Sequence, residues 1–406
     1  MKKWFFHFFL FGSLGVVSAA RVLADGTWTP YLSADVYGGI SKFGKDKVDG
    51  PSGSLVFIPA VRLGDAFFLL PSVTAGYRQA RDVQELAGGG FLTQEQVSYS
   101  GSLKGVYVFS PGWKAKLHGF YKEEWIQETK DEKWGKGLFD HRKLGGGAEV
   151  ERTGPRWKSV WLGTDYYITE FPNFESLSSQ EGLGAEIKAG THVLDFDSLD
   201  ALAGGEVSLG EKAVFSGRVV ISHRFFNDQK IVKKDGTYSS DDRRDLYAYN
   251  SWAYRYQLPP VTIFAVEVET LVGVDLVLTA LDSNQNNYDV LRLKFNENYY
   301  DYGNVGGGPR MTFRFSEKLS LGLEYTLSGR SYKDRPGQDV SGLYKTKTIS
   351  SQTQTFRFSL GYPLWRGLGV KALGAFQNAR SNMDYETVYR YNYDSSSYFL
   401  GLTYRL

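Results

Sequence analysis

Chemistry in this chain would have to begin with its histidines. Beyond the N-terminal leader these are His118, His141, His192 and His223. Hydrolysis by a covalent route needs a nucleophile and a base held together, and no serine or carboxylate motif stands beside any of the four in sequence. His118 and His223 fall in segments that read as strands, His141 and His192 in or near loops. Asp241 and Asp242, next to Arg243 and Arg244, read as a loop charge cluster and not as an acid dyad. Triple glycines at 88–90, 145–147 and 306–308 are not followed by Gly-Lys-Ser/Thr, so they do not form a phosphate loop. They read as places where a strand bends or is crowded. The chain has no cysteine and no paired histidines at ligand spacing, so no metal and no cofactor is expected.

The ionisable residues carry a different message, because they fall on alternate positions. In KLSLGLEYTLSGR one set is Leu319, Leu321, Leu323, Tyr325 and Leu327, and the other contains Ser320, Glu324, Ser328 and Arg330. TQTFRFSLGY sets Phe356, Phe358, Leu360 and Tyr362 against Arg357 and Ser359. WKAKLHGFYKE sets Trp113, Leu117 and Tyr121 against Lys114, Lys116, His118 and Glu124. GGGPRMTFRF sets Met311, Phe313 and Phe315 against Arg310 and Arg314. Period two is the mark of a strand with two unlike faces. The charged faces together are rich in bases: Arg62, Arg78, Lys104, Lys114, Lys116, Lys158, Arg218, Arg224, Arg255, Arg310, Arg314, Arg357, Lys371 and Arg405. The acids are fewer: Asp35, Glu149, Glu151, Glu206, Glu267, Glu269 and Glu324. Such charges serve either to attract anions weakly or simply to pair across strands and keep an interior wet.

The elements that would hold these faces recur. Tight-turn signals rich in Gly, Pro and Ser fall about every fifty residues: LGDAFF, SPGW, TGPRW, LGEKAVF, LPPVTIF, FSEKLSL and YPLWRG. An aromatic stands near most of them, notably Trp113, Trp157, Phe215, Phe264 and Trp365. Between them lie wetter stretches that read as long loops: FGKDKVDGPSG, QETKDEKWGKG, NDQKIVKKDGTYSSDD, KDRPGQDVSGLYK and YRYNYDSSS. Seven short turns and two strand-bearing ends give about sixteen strands, with fourteen to eighteen possible. Residues 171–196 and 283–304 are the places where strand and loop are hardest to separate. The strand-like segments run to about twelve to eighteen residues, against the five or six usual in soluble proteins. One face of each is almost free of charge, as a lipid-facing surface requires. The expected fold is therefore all-β: a transmembrane, antiparallel, up-and-down barrel, closed because an open edge in lipid would strand backbone groups.

The N-terminus fits export. Lys2 and Lys3 precede an apolar run from Trp4 to Val17, too short to span a bilayer, and small residues follow at Ser18, Ala19, Ala20 and Ala24. Residues 1–24 read as a signal peptide cut after Ala24, or alternatively after Ala19 or Ala20, which leaves 25–406 as the barrel. A net charge of +2 over 406 residues does not point to nucleic acid.

The last strand, SSSYFLGLTYRL, alternates Tyr398, Leu400, Leu402, Tyr404 and Leu406 with Phe399, Gly401, Thr403 and Arg405. It resembles the closing strand of Gram-negative outer-membrane β-barrel proteins of porin-like type, with Leu406 where that group usually has Phe. The resemblance implies an outer-membrane location, contact with outer-membrane lipid and reading of this strand by the barrel-assembly machinery. Porins of this size are often homotrimers, and the resemblance also implies a pore-narrowing loop, for which TEFPNFESLSSQEGLGAEIKAGTHVLDFD, with Phe171, Phe174 and Gly182, is the candidate. A sixteen-stranded barrel is wide enough for water. The first functional expectation is a passive channel for small hydrophilic solutes with a weak anion preference. The pore-lining set would be Lys114, Lys116, Arg218, Arg224, Arg255, Arg310, Arg314, Arg357, Lys371, Glu206 and Glu324. A filled barrel that serves as a structural or assembly partner of another envelope or periplasmic protein is the second. A lipid-modifying barrel enzyme, tested at His141 and His192, is the third.

Overall fold

The structure, a computed structural model, describes residues 28–86, 89–129, 132–176, 190–290, 292–315, 318–386 and 390–406. The leader at 1–24 lies outside them, as do residues 177–189 of the candidate constricting loop, Gly182 among them.

Sixteen strands make one closed antiparallel barrel. They are β1 (Leu32–Phe43), β2 (Asp46–Phe57), β3 (Phe67–Leu86), β4 (Gly89–Ser110), β5 (Trp113–Gln127), β6 (His141–Arg152), β7 (Trp157–Glu170) and β8 (Phe196–Ser208). The second half is β9 (Ala213–Val232), β10 (Tyr238–Gln257), β11 (Val266–Ser283), β12 (Tyr302–Phe315), β13 (Leu319–Gln338), β14 (Tyr344–Trp365), β15 (Leu368–Ser381) and β16 (Tyr393–Arg405). Each pairs with its sequence neighbour, and β16 returns to β1 through a ladder from Ser33↔Arg405 to Phe43↔Ser395. The amide of Leu406 then donates to the Leu32 carbonyl at 2.9 Å, so no rung of the seam is left open.

Closure decides the two faces. Val36, Leu103, Leu117, Leu162, Leu199, Val274, Val305, Leu360, Leu400 and Leu402 point outward and are exposed, Leu162 to 67% and Leu117 to 69%. A surface this apolar over sixteen strands is wet by hydrocarbon and not by water. The Arg, Lys, Asp and Glu positions on the alternate register point inward. The molecule is thus a closed sixteen-stranded antiparallel β-barrel with an apolar outer face and a charged interior.

Four of the five stretches expected to be long loops are largely strand. β1 and β2 meet over Gly44 alone with Lys45, so FGKDKVDGPSG is mostly β2. β9 and β10 run through NDQKIVKKDGTYSSDD and leave 233–237 as the turn; β13 and β14 likewise leave 339–343. β16 starts at Tyr393, inside YRYNYDSSS. The reason is that these strand ends continue past the bilayer into water, where polar residues on both faces are tolerated and the two-faced signal disappears. Of QETKDEKWGKG, the described residues 128–129 and 132–137 lie in a loop beyond the end of β5. Residues 284–301 form a separate cap, with a small hairpin of Asn287–Asp289 and Lys294–Asn296.

The crowding expected at triple glycines is visible in two of the three. A Cβ on Gly147 would stand 2.4 Å from the Thr164 carbonyl oxygen, and one on Gly308 would stand 2.0 Å from that of Tyr325. The first triple lies partly outside the described residues.

Candidate functional site: the barrel interior

Inward register brings charges from separate strands to the same height. Asp275 on β11 accepts from Arg255 on β10 at 2.5 Å and stands 3.6 Å from Arg310 on β12. Glu324 on β13 takes Arg310 at 2.5 Å through one oxygen and Arg357 on β14 at 2.7 Å through the other. Arg255, Asp275, Arg310, Glu324 and Arg357 thus alternate in sign across five neighbouring strands. The order is set by direct cross-strand pairs, Arg310↔Glu324 and Glu324↔Arg357, where opposite charges stabilise each other. Arg314 extends the row toward Glu269 at 3.8 Å.

The carboxylates of this row sit closer to the wall than the outer two guanidiniums. Side-chain exposure is 23% for Glu324 and 29% for Asp275, against 44% for Arg310 and 54% for Arg357. Arg255, at 22%, lies back against β11 with hydrogen bonds to the Tyr254 and Val274 carbonyls. A cavity of about 620 Å³ opens against the row, bounded by Arg218, Ser251, Asp275, Asn304, Arg310 and Arg357. Arg218 has no ion-pair partner among the described residues, and neither do Lys104 or Lys371.

The facing wall is also paired. Lys116 is bound to Glu149 and Glu151, and Lys114 lies 3.6 Å from Glu151. Lys158 meets Glu206 at 2.8 Å with side chains 49% and 41% exposed; a register shift beside Glu206 is what turns Lys158 inward. Higher up, Lys143 sits 3.2 Å above the Tyr167 ring and Arg224 lies over Tyr247 at 4.7 Å and Phe196 at 5.6 Å. Cations on aromatic faces gain from the ring quadrupole. Arg62, by contrast, binds Asp65 in its own turn at 2.7 Å.

Toward the outer mouth the interior tightens. Arg243 is fully buried and forks onto Asp245 at 2.8 and 2.6 Å, between the rings of Phe226 and Tyr300. Asp245 also accepts from the Ser283 hydroxyl at 2.6 Å. This corrects the reading of 241–244 as a loop cluster: those residues are the start of β10, and Arg243 faces in while Asp242 pairs with Lys230 at 2.6 Å. The cap at 284–301 rests on this site. Gln285 reaches Val232 and Lys230, Asn298 reaches Asp334, and Asp289 binds Arg292 at 2.9 Å and Tyr344 at 2.7 Å. Burial acts to raise the Asp289 carboxyl, but hydrogen bonds from Tyr344 and Arg292 outweigh it and hold that carboxyl below the usual range.

The histidines are not isolated. His118 Nε2 lies 3.1 Å from Asp165, His141 Nε2 lies 2.9 Å from Glu124, and His192 Nδ1 lies 2.9 Å from Asp195. The first two partners come from other strands, which is why no local motif showed them. The His223 ring lies 4.2 Å from that of Phe225, tilted by 44°. Among the described residues no hydrogen bond joins these imidazoles to a hydroxyl.

On the outer surface Trp113, Trp157, Phe215 and Trp365 flank short turns with exposures of 37, 49, 36 and 67%. Phe264 differs. Val261–Ile263 pairs with Val266–Val268, so the turn is prolonged into a small hairpin with Phe264 at its tip, 97% exposed. Tyr398, Leu400, Leu402 and Leu406 are exposed on the lipid side of β16, and Tyr404 shares their register.

No family model and no curated protein matches the chain in sequence. Solved structures resemble it in shape. In-vitro folded OmpT, an outer membrane protein of Vibrio cholerae, is 11% identical with a TM-score of 0.47, over 95% of this chain and 99% of that one. OccAB3 of Acinetobacter baumannii is 12% identical with a TM-score of 0.46, over 95% and 100%. An anion-selective porin from Comamonas acidovorans is 9% identical with a TM-score of 0.45, over 93% and 99%. Values this low leave solute, selectivity and partners to be argued from this chain's own residues.

Proposed function

We propose that the barrel is a passive outer-membrane channel for small hydrophilic solutes, weakly favouring anions, and not an enzyme. The observation that carries this is the solvent exposure of charges inside a closed wall: Arg310, Arg357, Lys158 and Glu206 are each more than two-fifths exposed while pointing away from lipid. Exposed charges in that position support a water-filled interior, since hydration stabilises those that pairing leaves incompletely satisfied. Glu324, Arg310, Arg357, Arg255, Arg314, Arg218 and Lys371 would line one side of the path, and Lys114, Lys116, Glu206 and Arg224 the other. Most of them are paired, so selectivity is mild. Its sign follows from depth, since Glu324 and Asp275 lie behind Arg310 and Arg357, and from the unpaired Arg218 and Lys371. Trp113, Trp157, Phe215 and Trp365 would form the interfacial girdle, with Phe264 just past it. Residues 398–406 would be the strand read during assembly, after removal of 1–24.

Planar-bilayer recording of the refolded barrel tests the reading. Stepwise conductance with a reversal potential on the anion side in a KCl gradient is expected. A folded barrel without conductance would overturn it in favour of a filled, structural barrel.

A further inference from the structure

The lumenal cavity of about 620 Å³ beside the charged row has a floor that ion pairing does not explain. Triple glycine at 306–308 makes it. Gly306 and Gly308 hold successive inward positions of β12, in register with Val277 and Asp275 on β11. Two places on the wall therefore send no side chain into the lumen. A Cβ on Gly306 would stand 2.9 Å from that of Ser328, so the close approach of β12 and β13 keeps the floor bare. Around it the side chains are short and polar: Ser216 on β9, Ser251 on β10, Asn304 on β12, and Thr326 and Ser328 on β13. A space of this size suits a small molecule better than a single ion.

The polar groups of this floor are unused. Among the described residues Ser216, Ser251, Asn304, Thr326 and Ser328 make no side-chain hydrogen bond, and none of them leaves a polar atom buried without a partner. Their donors and acceptors are therefore turned to the lumen. Elsewhere on the inner wall hydroxyls satisfy one another: Ser72 bonds Ser102, and Thr74 bonds Ser100, each at 2.7 Å. The charges at the rim are unequal. Asp275 is held by Arg255, and Glu324 by Arg310 and Arg357. Glu206, in register with Ser216, is held by Lys158 at 2.8 Å. Arg218 is exposed, and it has neither an ion pair nor a hydrogen bond among the described residues. Its guanidinium fork is open to an oxyanion, which it fits by two parallel N–H donors.

We propose that this bay is a solute subsite for polyhydroxylated oxyanions, the class of sugar acids and sugar phosphates. The oxyanion would sit on Arg218, and the hydroxyls of the same molecule on Ser251, Asn304 and Ser328 above the bare glycine floor. Chloride would use Arg218 and leave the hydroxyls idle. A neutral polyol would do the reverse. An apolar anion would cover the floor's donors and acceptors without replacing the water they lose, which is costly. The proposal deepens the channel reading and rests on its water-filled lumen.

Equilibrium dialysis of the refolded barrel in neutral detergent tests this with matched six-carbon probes: gluconate, sorbitol 6-phosphate, sorbitol and hexanoate. Gluconate, sorbitol 6-phosphate or both should be held about tenfold more tightly than sorbitol or hexanoate, and the tighter of the two identifies the anionic group as carboxylate or phosphate. Arg218→Gln should remove about that tenfold advantage over sorbitol. Ser251→Ala and Ser328→Ala should each weaken gluconate about threefold and leave hexanoate unchanged. Heat-modifiable gel migration confirms that each variant is folded. Hexanoate or sorbitol held as tightly as both polyhydroxylated anions, or no effect of Arg218→Gln, would overturn the proposal. Dialysis needs no current, so the two readings fail separately: conductance without binding removes this subsite alone, and binding without conductance removes the open channel alone.

Discussion

Replacing Glu324 with Gln perturbs the interior at one defined point. Glu324 holds Arg310 and Arg357 with its two oxygens, and Gln keeps the volume while removing the charge. Both pairs are partly hydrated, so the fold should lose only on the order of 1 kcal/mol and the barrel should still form. The effect on permeation is larger. An ion passing about 5 Å from the lost charge gains or loses about 0.8 kcal/mol in water, or about 0.5 kcal/mol after screening at 0.1 M salt. That is a factor of about 2.3 for the anion and the same factor against the cation, so the chloride-to-potassium permeability ratio should rise about fivefold. Reversal potentials across a planar bilayer in a KCl gradient measure this directly. Arg310→Gln and Arg357→Gln should each shift the ratio the other way. A Glu324→Gln barrel that conducts with an unchanged ratio would show that ions do not pass this row, and the depth argument for anion preference would fail.

Three further outcomes follow from the wall and the cap. Leu162→Arg places a charge on the lipid face, where it should cost about 2 to 4 kcal/mol in urea unfolding from lipid vesicles, whereas Ser251→Arg, facing the lumen, should cost little. Gly308→Ala drives a Cβ against the Tyr325 carbonyl and should lose about 1 to 3 kcal/mol or slow folding, while Gly303→Ala meets nothing within 4 Å and should be neutral. Because the folded Asp289 carboxyl is held below its unfolded value, its support of the outer cap is full above that unfolded value, near 4, and is lost as pH falls through the lower folded one. Proteolysis after Arg292 is not readable at such pH, so amide exchange across 287–296 at pH 7 and pH 3 is the measurement, and Asp289→Asn should remove the difference.

Much of this was legible in the residues because lipid imposes a simple rule. The alternation Leu319, Leu321, Leu323, Tyr325, Leu327 against Ser320 and Glu324 states strand, outward face and inward face at once, since a charge on the wrong side is heavily penalised. Turns rich in Gly and Pro every fifty or so residues then give the strand number, and sixteen strands close. Where the chain leaves the bilayer that rule stops acting, which is why the polar halves of β2, β9, β10, β13 and β14 read as loops. Local spacing also hides partners that registers supply. Nothing near His118 in sequence announces Asp165, and nothing near Arg255 announces Asp275, Arg310, Glu324 and Arg357 as one row. Sequence alone determined that within the bilayer inward positions carry charge and outward ones do not, because that depends only on what each face touches. Only closure of the barrel decided which charges meet, how deep each lies, and that Arg243 is buried, because those depend on the height at which separate strands pair.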